Sequence, residues 1–189
     1  MLPVAAAVYA GTVRELVIGF KEHERFGLVA ALAPMIVASV ELCLASLPQG
    51  VAPVTLVPMP SAPAAVRRRG HDAVARLTRR CAVLMRRRGH VVAVCCALTP
   101  TRRVGDQAGL SASARAANLD GALRLRRSVR DDRSLTRPII VVDDVITTGS
   151  SAAEAVRVLR TAGMDPVALA TVAATRRRGA GLSLTVGQD

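Results

Sequence analysis

Apolar residues recur at two different spacings along this chain, and each spacing predicts one kind of secondary structure. Near the N-terminus the spacing is that of one helical face, which predicts a helix from Thr12 to about His23. The next apolar run, residues 28–47, is nearly long enough to span a membrane, but Pro34 and Glu41 interrupt it. We therefore expect a buried helix pair or a kinked helix there, and no membrane contact.

From Val54 onward, short apolar runs alternate with helical patterns. The predicted strands cover residues 54–58, 91–98, 139–142 and 167–173, and the predicted helices cover residues 72–89 and 151–162. Ser151 and Glu154 have the spacing of a capping box at the start of the last helix. This alternation predicts an α/β fold, with a mostly parallel central sheet flanked by helices and a ligand site at the carboxyl ends of the strands.

Two domain-level expectations follow from the same patterns. Residues 1–50 are expected to form an N-terminal helical region packed on the core, and residues 51–189 a single compact α/β unit. Residues 99–121 show neither spacing and are rich in Arg, Ser, Ala and Gly, which is typical of long functional loops. We expect this segment to be a mobile flap.

The charge of the chain favours a polyanionic partner. The net charge is +12, and Lys21 is the only lysine, so nearly all positive side chains are arginines. Arginine makes forked hydrogen bonds to phosphate oxygens, although a GC-rich genome would produce the same composition. With one Tyr and two Phe the chain has no base-stacking platform. Its four cysteines show no metal-ligand spacing, so we expect reduced thiols and a cytoplasmic protein.

The strongest candidate site follows the predicted strand 139–142, where Asp143 and Asp144 run into the small-residue turn 147–151 before a helix. Backbone amides of such a turn, together with a helix start, form an anion site for a phosphate monoester. The two carboxylates are acceptors, so they suit neighbouring ribose hydroxyls or the hydration shell of Mg²⁺. A P-loop would need a Gly-Lys-Ser/Thr sequence and a dinucleotide site a G-x-G-x-x-G sequence, and both are absent.

The segment from Ile139 to Ser151 resembles the motif that binds 5-phosphoribosyl 1-diphosphate (PRPP) in type I phosphoribosyltransferases. The resemblance implies that fold, with Asp143 and Asp144 on the ribose hydroxyls. It also implies Mg²⁺ bound through PRPP, near the two acids and without direct protein ligands. The residues it assigns to the 5′-phosphate are Thr147, Thr148, Gly149, Ser150 and Ser151.

Three further blocks, VYAGTVRELVIGFKEHERFGLVAALA, VPMPSAPAAVRRRGHD and TRRVGDQAGLSASARAANLDGAL, resemble successive parts of the ComF family within that superfamily. The N-terminal C-x-x-C zinc module typical of that family is missing from this sequence. The family's R-G-F-N block reads Arg69-Gly70-His71-Asp72 here, so the aromatic ring and the amide are replaced. We expect His71 to be structural or surface-exposed.

The resemblance also implies roles for residues in the loops. Ser61 and Arg69, with Arg67 or Arg68 as alternatives, would approach the diphosphate of PRPP. The flap would close over the reacting centre and exclude water. Its residues would be Arg102 and Arg103 as catalytic cations, with Gln107, Arg115 and Asn118 beside them.

The expected activity is transfer of phosphoribose from PRPP to an unknown nitrogen acceptor, with release of diphosphate. In the hypoxanthine-guanine branch an acidic residue that serves the purine stands where this chain has Thr147, which argues against that substrate. Two alternatives stay open, because a sensor of PRPP or nucleotides would use the same motif, and a ComF-type accessory of DNA uptake would contact nucleic acid or a DNA-processing protein. A homodimer is also left open.

Overall fold

The structure is a computed structural model in which the described residues form a mixed α/β fold. The residues it describes are 1–22, 25–48, 53–101, 121–129 and 132–176. The strands are β1 (Leu2–Val8), β2 (Val54–Pro58), β3 (Val92–Val94), β4 (Leu98–Pro100), β5 (Leu123–Leu125), β6 (Ile139–Ile146) and β7 (Pro166–Ala174). The helices are α1 (Gly11–Glu22), α2 (Val29–Ala45), α3 (Pro63–Arg69), α4 (Ala73–Arg87) and α5 (Ser150–Thr161).

Five strands form the central sheet in the order β1-β7-β6-β2-β3, and every neighbouring pair is parallel. Apolar side chains from both faces of this sheet are buried under helices. One face packs against α1, α2 and α4, and the other against α5. The predicted α/β class, with a mostly parallel sheet flanked by helices, is confirmed.

The N-terminal segment contributes a strand that the periodicity did not predict. β1 lies at the edge of the sheet, and its residues Leu2 to Val8 pair with Ala168 to Ala174 of β7. The strand is a run of Leu, Pro, Val and Ala without polar alternation, so the pattern alone does not predict it. Residues 1–50 thus supply an edge strand as well as α1 and α2.

The long apolar segment is one continuous helix, α2, preceded by a short 3₁₀ turn, rather than a helix pair. Within the described residues, 26–45 form the one helical stretch long and apolar enough to cross a membrane by length and composition. Leu32, Ile36 and Val40 are fully buried in the core. The Ser39 hydroxyl donates to the Thr171 carbonyl of β7 at 2.7 Å, so this helix is part of the fold's core layer.

The predicted buried strand over residues 91–98 was wrong in its extent. Only Val92–Val94 pair with β2, and Val91 is 61% exposed. The chain then leaves the central sheet, and Leu98–Pro100 pair antiparallel with Leu123–Leu125 in a separate two-stranded sheet. The apolar run does not reveal that β3 and β4 pair with different strands, because the residues of both are buried or partly buried.

Two boundaries near the candidate site also differ from the predictions. β6 continues to Ile146, so Asp143 and Asp144 lie within the strand instead of following it. Helix α5 begins at Ser150, and its N-cap residue is Gly149, which has no side chain to cap it. The predicted capping box is wrong because the Glu154 carboxylate accepts instead from Arg157 and from the backbone N–H of Leu123.

Candidate functional site

A cavity of about 530 Å³ opens at the carboxyl ends of the parallel strands. The end of β6 and the start of α5 supply Asp143, Asp144, Thr147 and Ser151 to its wall. The loop after β2 and the following helix α3 line the opposite side, and α1 lines a third side. This is the edge of a parallel sheet where ligands of α/β proteins bind.

The two adjacent acids on β6 occupy different environments. Asp144 is 3% exposed, whereas Asp143 is partly exposed to the cavity. Asp143 accepts a hydrogen bond from the Asp144 backbone N–H at 2.8 Å, and Asp144 accepts one from the Val145 N–H at 2.9 Å. Burial, followed by the neighbouring Asp144 carboxylate, raises the pKa of Asp143 well above its usual value. The pair therefore does not hold two full negative charges as easily as two isolated carboxylates would.

Lys21 is a cavity residue that the sequence interpretation missed. Its ammonium lies 2.6 Å from Asp144 Oδ2, and its side chain is 34% exposed. Burial acts to lower the pKa of Lys21, but the charges of Asp144 and Asp143 outweigh it, so the pKa is raised. The available signal was that the only lysine of an arginine-rich chain falls in the last turn of the first predicted helix.

The turn between β6 and α5 contains a glycine in a left-handed backbone conformation, directly before the helix start. Gly149 has φ +80°, a left-handed conformation that side chains rarely adopt. The first-turn amides of α5 have no acceptors within the helix and carry its positive dipole end. Thr147 and Ser151 line the cavity, while the Thr148 and Ser150 hydroxyls lie 3.0 Å apart in the turn between them.

Asp72 holds the loop after β2 against the start of α4. Its carboxylate accepts from the Ser61 N–H at 3.0 Å, the Ser61 hydroxyl at 3.0 Å and the Ala75 N–H at 3.1 Å. A carboxylate at position 72 thus fills a structural role that needs only acceptors. Ser61 lines the cavity, and its hydroxyl hydrogen is directed at Asp72.

Arg69 is the arginine of the 67–69 cluster that reaches the cavity, and it is only 8% exposed. Its guanidinium donates to the carbonyls of Ala65 at 3.2 Å and Lys21 at 2.7 Å. Arg68 instead forms an exposed ion pair with Glu22 at 2.8 Å. Both arginines therefore connect α3 to the last turn of α1.

His71 lies beside the site without lining it. Its Nδ1 donates to the Arg69 carbonyl at 2.8 Å, and its ring meets the Phe26 ring edge-on at 4.7 Å. These contacts are those of a packing residue. The five predicted flap residues, Arg102, Arg103, Gln107, Arg115 and Asn118, lie outside the described residues.

Asp143 and Asp144 are two adjacent carboxylates at the cavity that could contact a divalent cation. Within the described residues no group of three or more His, Cys, Asp or Glu side chains could hold a metal ion. Mg²⁺ is commonly bound through one or two carboxylates together with substrate phosphates and water. The two carboxylates therefore fit a Mg²⁺ that a phosphate ligand brings.

A scan against protein-family models gives no match for this sequence, and a search of curated proteins gives none either. Among solved structures, a similar one is described as the allosteric regulatory enzyme of purine biosynthesis. The TM-score is 0.43 at 16% sequence identity, over 77% of this chain and 26% of the other. This chain thus corresponds to about a quarter of that protein's length.

Proposed function

We propose that this protein binds PRPP in the cavity at the carboxyl ends of β1, β2 and β6. The observation that carries the proposal is that an adjacent acid pair and a glycine turn leading into a helix open on one cavity. Phosphate groups suit the turn and the helix start, and sugar hydroxyls suit the carboxylates. A ligand that carries both groups a few ångströms apart satisfies both halves of the site.

In the proposed arrangement the 5′-phosphate lies against the turn 147–151 and the first-turn amides of α5. The ribose hydroxyls face Asp143 and Asp144, and the diphosphate extends toward Arg69 and the loop that carries Ser61. Arg69 supports this direction because it is a nearly buried cation at the wall of the cavity. Mg²⁺ bound with PRPP would neutralise part of the diphosphate charge.

The reaction proposed for this site is a phosphoribosyl transfer, in which a nitrogen acceptor bonds to C1 of the ribose and loses a proton to solvent as the C1–O bond to diphosphate breaks. Positive charge develops on the ribose and negative charge on the leaving group. The carboxylates on β6 would stabilise the positive charge on the ribose, and the Arg69 guanidinium would stabilise the negative charge on the diphosphate. Thr147, which lines the cavity, leaves no acidic group at that position for a purine base.

Calorimetric titration of PRPP, with and without Mg²⁺, tests the binding proposal directly. We expect saturable binding by the wild type and a loss of at least about tenfold in affinity for Asp143→Asn with Asp144→Asn, because charged hydrogen bonds to the ribose are lost. Exposed Glu15 on α1 provides the control, since Glu15→Gln neutralises a carboxylate outside the cavity. Absence of both binding heat and thermal stabilisation of the wild type by PRPP would refute the proposal.

Turnover needs a separate measurement, because a PRPP sensor would pass the binding test equally well. Diphosphate release during incubation with PRPP and a panel of nitrogen bases and amines distinguishes a transferase from a PRPP sensor. We expect release above the rate of PRPP alone with at least one acceptor. Tight binding with no acceptor-dependent release across the panel would favour the sensing alternative.

The outer face of α4 supports a second candidate function, contact with nucleic acid. Its exposed positions include five arginines and no acidic residue, and within the described chain none of the five pairs with a carboxylate. These are Arg76, Arg79, Arg80, Arg86 and Arg87. A gel-shift titration across a salt series tests this candidate, because phosphate contacts weaken steeply as salt rises. No shift at low salt would exclude it.

A further inference from the structure

Lys21 and Asp144 both line the cavity, and their ion pair lies at its wall. Asp144 is almost fully buried, yet the Lys21 side chain that neutralises it keeps a third of its surface exposed. The Lys21 ammonium is paired with a buried carboxylate but remains accessible from the cavity. It can therefore leave Asp144 and bind a more highly charged anion that enters the cavity.

The backbone around Lys21 is anchored, so the exchange needs only the side chain to move. The Arg69 guanidinium donates to the Lys21 carbonyl at 2.7 Å, and the Arg68–Glu22 ion pair closes beside it at 2.8 Å. The end of α1 is thereby joined to α3, which follows the loop of Ser61. The flexible four-carbon stem of lysine places a compact, mobile charge on this anchored base.

The charge balance of the cavity shows why the exchange is favourable. Its described lining contains three acids, Glu22, Asp143 and Asp144, and two cations, Lys21 and Arg69. With Lys21 held on Asp144, Arg69 alone would face the several negative charges of a diphosphate. Movement of Lys21 to the ligand adds a second cation at the diphosphate and releases oxygens of Asp144 for sugar hydroxyls.

We propose that Lys21 is a diphosphate-binding residue that exchanges its ion pair with Asp144 for one with the ligand, and so selects PRPP over ribose 5-phosphate. This inference rests on the proposed function of the same cavity. The same movement couples the two halves of the site, because the acids become available to the ribose when the lysine is drawn away by the diphosphate.

The test compares two ligands that differ at C1, PRPP and ribose 5-phosphate, by calorimetry at one fixed Mg²⁺ concentration. We expect Lys21→Met to weaken PRPP binding by at least about tenfold and ribose 5-phosphate binding by no more than about twofold. Arg14→Met, on the same helix and outside the cavity, should leave both affinities at the wild-type value.

The outcomes separate this inference from the proposed function. If the wild type binds both ligands and Lys21→Met weakens both equally or neither, the inference is overturned while the proposed function stands. If the wild type binds neither ligand, the proposed function fails and takes the inference with it. Should Lys21→Met not fold, Lys21→Gln keeps a donor for Asp144 without the charge, and the same ratio of affinities decides the matter.

Discussion

The cavity wall and the outer face of α4 both carry several charged side chains, but they differ in how those charges are paired. In the cavity Lys21 contacts Asp144 at 2.6 Å, and Arg69 is nearly buried and donates to two carbonyls. On α4, within the described chain, the exposed arginines contact no carboxylate. A buried charge needs a partner, whereas a solvated one does not. The net charge of +12 therefore says little about where the site lies, and the pairing says more.

The largest loss in the free energy of unfolding is expected for Lys21→Met, in the cavity wall. Removal of the ammonium leaves Asp144 buried and unpaired, which should lower the free energy of unfolding by about 3 kcal/mol. Urea unfolding of the ligand-free protein at pH 7 measures the change. A loss below about 0.5 kcal/mol would mean that the cavity pair behaves like a surface ion pair.

A smaller loss is expected for Asp72→Ala, which tests the loop side of the cavity. The carboxylate caps α4 and accepts two hydrogen bonds from Ser61. Its removal should lower the free energy of unfolding by about 1–2 kcal/mol and weaken PRPP binding, because the loop loses its anchor. Asp132→Ala, which removes the exposed N-cap of the 3₁₀ turn Arg133–Thr136, is a suitable control. Unchanged PRPP binding would show that the loop position does not depend on Asp72.

Asp143→Asn should raise the free energy of unfolding instead of lowering it, and the size of this increase should depend on pH. The raised pKa means that folding favours the protonated form, so this stabilising contribution is complete below the usual Asp pKa and is lost as pH rises through the folded value. The amide that Asp143→Asn introduces cannot ionise, so the variant does not lose stability at this position as pH rises. We expect the thermal midpoint of the ligand-free protein to rise by a few degrees at pH 7 and to change little at pH 3, while PRPP binding weakens.

Thermal melts of wild type and variant between pH 3 and pH 8 follow this difference. A variant that melts below the wild type at pH 7 would contradict the prediction. It would mean that the ionised Asp143 carboxylate has stabilising partners that outweigh its burial and the charge of Asp144.

The smallest effect on stability is expected on α4. Arg80→Met with Arg87→Met should change the free energy of unfolding by less than about 0.5 kcal/mol and leave PRPP binding unchanged. If α4 contacts nucleic acid, the same pair should reduce the slope of log K against log salt by about 2 in the gel shift. A loss of PRPP binding in this variant would break the distinction between the two regions.

The succession of strand, turn and helix from Ile139 to Thr161 was predictable because each part has a local signal, although the strand runs past the two acids to Ile146. A buried apolar run, adjacent carboxylates, a glycine at a left-handed position and a helical spacing all lie within one short segment. The pairing of Glu154 with Arg157 was not predictable from the capping-box spacing, because two compatible partners were available to one carboxylate. The local sequence shows which partners a side chain could bind, and the tertiary packing determines which of them it does bind.

By itself, the sequence determined the α/β class, the parallel sheet and the segment that carries the acid pair, since these depend on periodicity and on neighbours along the chain. Only the tertiary structure decided that Leu2–Val8 form an edge strand, that Asp72 holds Ser61, and that Lys21 contacts Asp144. The physical reason is that these contacts join segments that are distant in the chain and share no repeat. They exist because the parallel sheet brings the carboxyl ends of its strands, and the loops and helix ends around them, to one place.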